Sequence, residues 1–477
     1  MKRPLIPVLI VILAIFGSIR SQSSRASSAM SPAPIMTIDR LFPGLGNLGY
    51  DVIYYNLDLS MSGKLRDPVL SGNVAIRLRT TTALSRLGLD FVGGSVQGVW
   101  VNSRPARFVR FGEKLSISLP RAFKTRQLAT VIVNYTIRPS LQIPLSQTGM
   151  AAGFGISQDG IVFTGQPDRG HAAFPCNDLP SDAASMSFRL SVPSGLSAIA
   201  NGSLVRHQRS RGREIFYWRL ETPITPQLTA LAFGRFKMTP NERVGSITVR
   251  HALGVHVSAI ARARLQDTAR ELRWLSAKLG AYPYKQYGAL VSPGSIDGEA
   301  LETATMSTFG SSTLDGNDGK RGALQILAHE LVHQWFGDWV RVRNWSDLWL
   351  NEGHATYWGT RYVAEVTGTR KAWIAEFNDY QKNAANHDRN TDGSPAYPRN
   401  AKVLFSGARY EGGALVLRAL ERRVGERRFL QIERRFLVRF GGSSATTQNY
   451  IDTAAEIVGP SIRSFLQRWL YAPKTPR

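Results

Sequence analysis

The sequence predicts an α+β chain, an antiparallel β domain followed by a mainly helical domain. Three observations predict it. From about Tyr50 to Lys237 apolar residues recur with a period of two, the spacing of a strand with one buried face. After about residue 255 they recur three and four apart, the spacing of one helix face. Within that second stretch stands His329-Glu330-Leu331-Val332-His333, and Glu352 follows after eighteen intervening residues.

Residues 1–30 stand apart. Lys2 and Arg3 precede an apolar run from Leu5 to Gly17 and a small-residue tract around Ala26-Ser27-Ser28-Ala29, the three regions of a secretory signal. The run falls short of the ~20 residues that span a bilayer, which favours a signal peptide over an uncleaved anchor. The expectation is export, to the cell envelope or the medium.

Residues 48–245 are expected to form the β domain. Ile53, Tyr55, Leu57, Leu59 and Met61 alternate with polar neighbours, and Val74, Ile76, Leu78 and Leu115, Ile117, Leu119 repeat the pattern. Turn clusters such as Val92-Gly93-Gly94-Ser95 and Pro193-Ser194-Gly195 separate the runs. Residues 246–477 are expected to form the second domain. Leu265, Ala269, Leu272, Leu275 and Leu279 make a helix face closed by Gly280 and Pro283, and a strand and loop run through Leu290–Phe309. A Gly-rich loop is expected over Gly310–Gly322, then a helix with Leu324, Leu327 and Leu331 in the core. Ser346 is the candidate N-cap of the helix carrying Glu352. From about Tyr362 the chain reads as helical, with a polar break at Asn383–Arg399.

His329 and His333 are one helical turn apart and can aim two imidazole nitrogens at one point about 2 Å away. Glu330 lies roughly 100° round the helix, too far to share that position but able to reach a water on the metal as a general base. Glu352, on a second helix, supplies the third ligand and leaves a fourth position open, the mark of a catalytic zinc site. One Zn2+ per chain is expected.

The composition, 43% hydrophobic and 10% aromatic over 477 residues, is that of a folded protein with room for two or three cores. Lys and Arg number 59 against 35 acidic residues, a net charge of +24 that is densest over Arg418–Arg439. Such an excess favours anionic partners, with a cell-envelope surface the expected one. No nucleic-acid partner is expected, because no zinc finger, RNA-recognition signature or aromatic-interleaved basic motif is present. Cys176 is the single cysteine, so no intramolecular disulfide forms and a small core hydrophobe is its expected role. Oligomeric state is not legible.

His329–Gly337 together with Trp349-Leu350-Asn351-Glu352-Gly353 resembles the zinc aminopeptidases of the aminopeptidase N family, gluzincins to which leukotriene-A hydrolase is related. The resemblance runs over most of residues 50–475. It implies a β-saddle domain followed by a thermolysin-like catalytic domain, in the short form that lacks the long helical domain of other members. Gly298-Glu299-Ala300-Leu301-Glu302-Thr303 resembles the family's Gly-Ala-Met-Glu-Asn loop, with Glu299, Leu301 and Thr303 departing from it. By that resemblance Ala300 and Glu302 bind substrate, Glu302 through the free α-amino group. Gly165-Gln166-Pro167 resembles the segment whose Gln or Glu also contacts that amine, which assigns Gln166. Tyr410-Glu411-Gly412-Gly413 resembles the Tyr-Glu-Lys-Gly motif, in which the Tyr hydroxyl donates to the oxyanion, so Tyr410 joins Glu330 as a catalytic residue.

The resemblance thus implies an exported zinc aminopeptidase that acts on peptides with a free N-terminus. A zinc endopeptidase without amine dependence, and a basic envelope-binding protein with a vestigial metal site, are the alternatives.

Overall fold

The computed structural model describes residues 39–476 apart from Gln142, Ser295, Asp297, Asn317, Asp318, Thr369, His387 and Asp388, so the expected signal segment lies outside the described residues. An eight-stranded sheet runs in the order Ser203–Ser210, Arg213–Ile224, Ala184–Pro193, Tyr50–Lys64, Asp67–Thr80, Leu128–Ile137, Gly94–Val101, Arg104–Pro105. The two-residue alternation builds it: Tyr55, Leu57, Leu59 and Met61 are buried, as are Val74, Ile76 and Leu78 on the neighbouring strand. Ile53 breaks step. A bulge between Val52 and Tyr54 turns Val52 inward instead, and an extra residue in one strand swaps the faces beyond it.

The expected all-antiparallel pairing has an exception, because Tyr50–Lys64 lies parallel to Ala184–Pro193. A parallel neighbour needs a long crossover. Residues 65–183 supply it, and they carry much of the rest of the sheet, a three-stranded sheet of Leu84–Asp90, Lys114–Phe123 and Phe108–Phe111, and part of a four-stranded one.

That crossover ends in a segment with an unusual number of buried polar groups. Asp90 pairs with Lys114 and accepts from Asn47 Nδ2 and the Asp178 amide, both at 3.1 Å. His171 Nδ1 lies 2.7 Å from Asp178 Oδ2, and Asn177 Nδ2 donates to Asp182 Oδ2 at 2.5 Å. Cys176 is buried among them as a backbone bridge to Asp90, and burial pushes its thiol well above the usual range, as suits an inert core residue. These bonds pin residues 165–182, the segment carrying Gln166, to the β domain.

A five-stranded sheet follows in the order Phe236–Met238, Ala252–Gly254, Ala289–Ser292, Ser307–Gly310, Ala300–Leu301. It takes in Phe236–Met238, upstream of the boundary expected after residue 245. Helices then dominate: α1 (Thr268–Leu279), α2 (Gly319–Val332), α3 (Trp349–Val366), α4 (Arg370–Asn386), α5 (Glu411–Val424), α6 (Glu426–Phe440), α7 (Thr447–Val458) and α8 (Ile462–Tyr471). Gly280, with φ of 106°, caps α1, and Leu324, Leu327 and Leu331 of α2 are buried. Helix α3 packs between α2 and α5 and is buried from Trp349 to Ala364, so its polar residues, Glu352, Thr356 and Thr360 among them, are enclosed by the protein.

Three local expectations are corrected. The Gly310–Gly322 loop contains a short helix, Ser311–Asp315, and α2 begins at Gly319. Ser346 is not an N-cap: it lies inside a 3₁₀ turn, Trp345–Asp347, that leads directly into α3. The polar break begins later than Asn383, because α4 continues to Asn386; after it come Arg389–Asp392 and a tight hairpin, Gly393–Ser394 with Tyr397–Pro398.

The buried His171 gives the β domain a pH signature. Burial works against its imidazolium, but Asp178 and Glu113 outweigh that and raise it to about 9 from 6.5. The pairing therefore stabilises fully below pH ~6.5 and is lost as pH rises through ~9, because the unfolded chain releases its proton first. The difference in melting temperature between wild type and His171→Gln should be largest at pH 6 and shrink by pH 9, a change of order 1–3 kcal/mol across the window.

Candidate metal centre and active site

His329 and Glu330 occupy the last turns of α2, and His333 follows at its end, kept in helical spacing by a bond from its amide to the His329 carbonyl. His333 Nδ1 lies 3.1 Å from the Phe336 carbonyl. A protonated Nδ1 donates there and leaves Nε2 free to coordinate, the usual way a ligand imidazole is oriented. Glu352, in the first turn of α3, completes the set. Its Oε2 lies 3.3 Å from His329 Nε2 and 3.4 Å from His333 Nε2.

Glycines allow this approach. A Cβ on Gly359 of α3 would stand 3.2 Å from the Gln325 carbonyl and the His329 amide, so α3 lies close against the backbone of α2. A Cβ on Gly353 would meet Gly413 Cα at 2.8 Å, and one on Gly413 would meet Gly353 Cα at the same distance. Helices α3 and α5 therefore cross backbone to backbone one residue past Glu352. That crossing carries Tyr410, the residue before α5, to the site. Its ring stacks on His329 at 5.9 Å between centroids and 10° between planes. Burial, with Glu352 and Glu302 adding, pushes the Tyr410 hydroxyl well above its usual range, so it keeps its proton at neutral pH.

Glu302 reaches the site from the loop after the edge strand Ala300–Leu301. Its Oε1 accepts from Gln166 Nε2 at 2.6 Å, the contact that joins the β domain to the centre. Two residues to which the motif reading gave no role hold this loop. Gln334, next to His333, donates from Nε2 to the Glu302 carbonyl at 3.3 Å and accepts from the Thr305 amide at 2.7 Å. Thr303, one of the departures from the family loop, donates to the Met306 carbonyl at 2.5 Å and bonds Thr308. Glu299, another departure, does not line the cavity, whereas Gly298, Ala300 and Glu302 do. Gln334 was legible only as the residue following a ligand.

Glu302, Glu330 and Glu352 are each no more than 5% exposed and crowd round His333. Burial raises the Glu330 carboxyl well above its usual range, with Glu302 and Glu352 adding and His333 opposing. Burial also works to raise Glu352, but His333 and His329 outweigh it and hold it at about 2. Glu352 is thus the member kept anionic.

The ligand atoms of His329, His333 and Glu352 all lie within 4.8 Å of one another. Two imidazole nitrogens and a carboxylate oxygen, with an open side, form the donor set of a catalytic zinc. One Glu330 oxygen is buried with no hydrogen-bond partner among the described residues, as expected of a group awaiting a ligand. The residues fit the metal. They open on a cavity of about 540 Å³ that is also lined by Gln166, Gln325, Ile326, Thr356, Glu376, Tyr380 and Tyr410.

A model of the peptidase family M1 domain matches residues 263–469. The crystal structure of an M1 zinc metallopeptidase from Deinococcus radiodurans superposes with a TM-score of 0.83 at 28% identity, covering 92% of this chain and 98% of that one. A variant of the same protein was solved with the peptide Tyr-Ser-Ala bound. The leucyl aminopeptidase of Saccharolobus solfataricus is 27% identical over 336 residues, and leucine aminopeptidase 2 of Aspergillus clavatus 26% identical over 442. The chain spans 42% of the length of the first and 69% of the second. With the two histidines, the glutamate and both parts of the fold arranged as described, residues 263–469 match the M1 peptidase domain, and 92% of the chain is similar in fold to an M1 zinc metallopeptidase.

Proposed function

We propose that the chain is a zinc aminopeptidase that removes N-terminal residues from peptides. The observation that carries this reading is the bond between Glu302 and Gln166 at one end of the metal-site cavity. With an amide hydrogen given to Glu302, Gln166 keeps its side-chain oxygen as an acceptor, and both residues line the cavity. A carboxylate and a neutral acceptor side by side suit a substrate ammonium group. Holding that group admits one residue between it and the cleaved bond, which separates an exopeptidase from an endopeptidase.

Zinc held by His329, His333 and Glu352 would polarise the scissile carbonyl and acidify a water. Glu330, one residue from a ligand, takes the proton from that water and delivers it to the leaving amine. The Tyr410 hydroxyl donates to the carbonyl oxygen as charge develops there. Ala300 lies on the outermost strand of its sheet, so its backbone can pair with an extended peptide.

The basic, apolar and small-residue regions of residues 1–30 support export. Exposed Arg422, Arg423, Arg427 and Arg428 around the α5–α6 junction support a place beside an anionic envelope surface.

Wild type should hydrolyse aminoacyl-coumarins, lose that activity to a chelator and regain it with zinc. Glu330→Gln should lower kcat by about 10²–10⁴ while keeping one zinc per chain, and turnover at the wild-type rate would refute the base assignment. His333→Ala should lose the metal itself, read as zinc content. Tyr410→Phe should lower kcat by about 10²–10³ with zinc retained.

A further inference from the structure

The cavity is acidic in a chain that is strongly basic. Five carboxylates line it, Glu302, Glu330, Glu352, Glu376 and Glu411, and among the described residues no Lys or Arg does, although the chain carries a net charge of +24. Three of the five have work in the proposed reaction, as metal ligand, base and amine anchor. Glu376 has none.

Glu376 stands on α4, and the α2 residue it bonds says which part of a substrate it would meet. Glu302 lies beside His333 and Glu330, at the C-terminal end of the helix. Gln325 is one turn before His329, and Arg321, which bonds Glu376, is one turn before that. At 1.5 Å per residue Gln325 lies roughly 6 Å and Arg321 roughly 12 Å beyond His329, on the side away from the amine anchor. An extended peptide advances about 3.3 Å per residue, so this end of the cavity faces the two or three residues after the cleaved bond. Ile326 offers apolar surface there. Gln325 Nε2 bonds Thr360 Oγ1 and Tyr380 OH at 3.2 and 3.1 Å, which makes the far wall a fixed polar surface.

Glu376 takes a bond from Arg321 at 2.7 Å, but the Arg321 side chain is 50% exposed and does not line the cavity. So exposed an ion pair is weak, and a cation arriving inside the cavity can compete for the same carboxylate. We infer that this end of the cavity is a subsite for a cationic side chain, Lys or Arg in the leaving part of the peptide, with Glu376 as its selective group. The apolar Ile326 would cover the stem of such a side chain, and the carboxylate would meet its head.

The inference rests on the aminopeptidase reading, and the test separates the two. Peptides Leu-X-Ala-Ala with X as Arg, Lys, norleucine or Glu, and the same set with X moved one residue on, are compared by kcat/KM beside leucyl-coumarin, which has no residue after the bond. Wild type should favour Arg and Lys over norleucine by roughly tenfold, less so in 0.5 M salt. In Glu376→Gln the Arg-to-norleucine ratio should fall to near one, and in Glu376→Lys the Glu peptide should overtake the Arg peptide. Taking the ratio within each variant cancels any general loss of rate. A wild-type ratio near one, or a ratio unmoved by Glu376→Gln, overturns the subsite while leucyl-coumarin turnover leaves the aminopeptidase reading standing. Wild type inert on leucyl-coumarin and on every peptide overturns both.

Discussion

Everything at the centre of this molecule follows from one electrostatic constraint, three carboxylates buried round one imidazole. Glu302, Glu330 and Glu352 come from different segments, and all three act on His333 in space that water hardly reaches. Burying charge is costly unless it is answered by opposite charge close by. Within the described cavity lining no Lys or Arg supplies it. The site is therefore complementary to cations: a divalent metal fits His329, His333 and Glu352, and the proposed function adds a substrate ammonium group at Glu302 and Gln166.

The surrounding architecture holds that unfavourable arrangement together. Gly359 lets α3 press on the backbone of α2 at His329, and the Gly353–Gly413 crossing delivers Tyr410 beside Glu352. Gln334, the residue after the ligand His333, bonds the Glu302 loop, so Glu302 and the metal-site histidines are held in one frame. The β domain contributes the last piece. Its buried network of Asp90, Lys114, Asn177, Asp178 and His171 fixes the segment from which Gln166 reaches Glu302. Rigid support from outside the first contacts is what keeps such groups within reach of a reacting geometry.

How much of this could be read from sequence depended on whether the chemistry was local. His329 and His333 lie within one helical turn, and Glu352 has a spacing tied to it, so the donor set was legible from residue types alone. Glu302, Gln166 and Tyr410 are a lone Glu, Gln and Tyr in loops or at a helix start, and only resemblance to a family picked them out. The helix-crossing glycines, Gln334 and Glu376 were not legible, because their roles depend on what lies opposite them in space. The strand pattern was read well where alternation was strict and misread at Ile53, where a bulge at Val52–Tyr54 shifts the register. The parallel pairing of Tyr50–Lys64 with Ala184–Pro193 is a long-range choice that a period of two does not reveal.

The central claim is that Glu302 makes this metal site count from the N-terminus. The most direct measurement compares one peptide with a free and with an acetylated N-terminus, in wild type and in Glu302→Gln, with zinc content determined for both. Wild type should prefer the free amine by at least about 10³-fold in kcat/KM. Glu302→Gln should keep its zinc and lose most of that preference, through a slower reaction on the free peptide. Equal cleavage of the two peptides by wild type, or a preference that survives intact in the variant, would contradict the account.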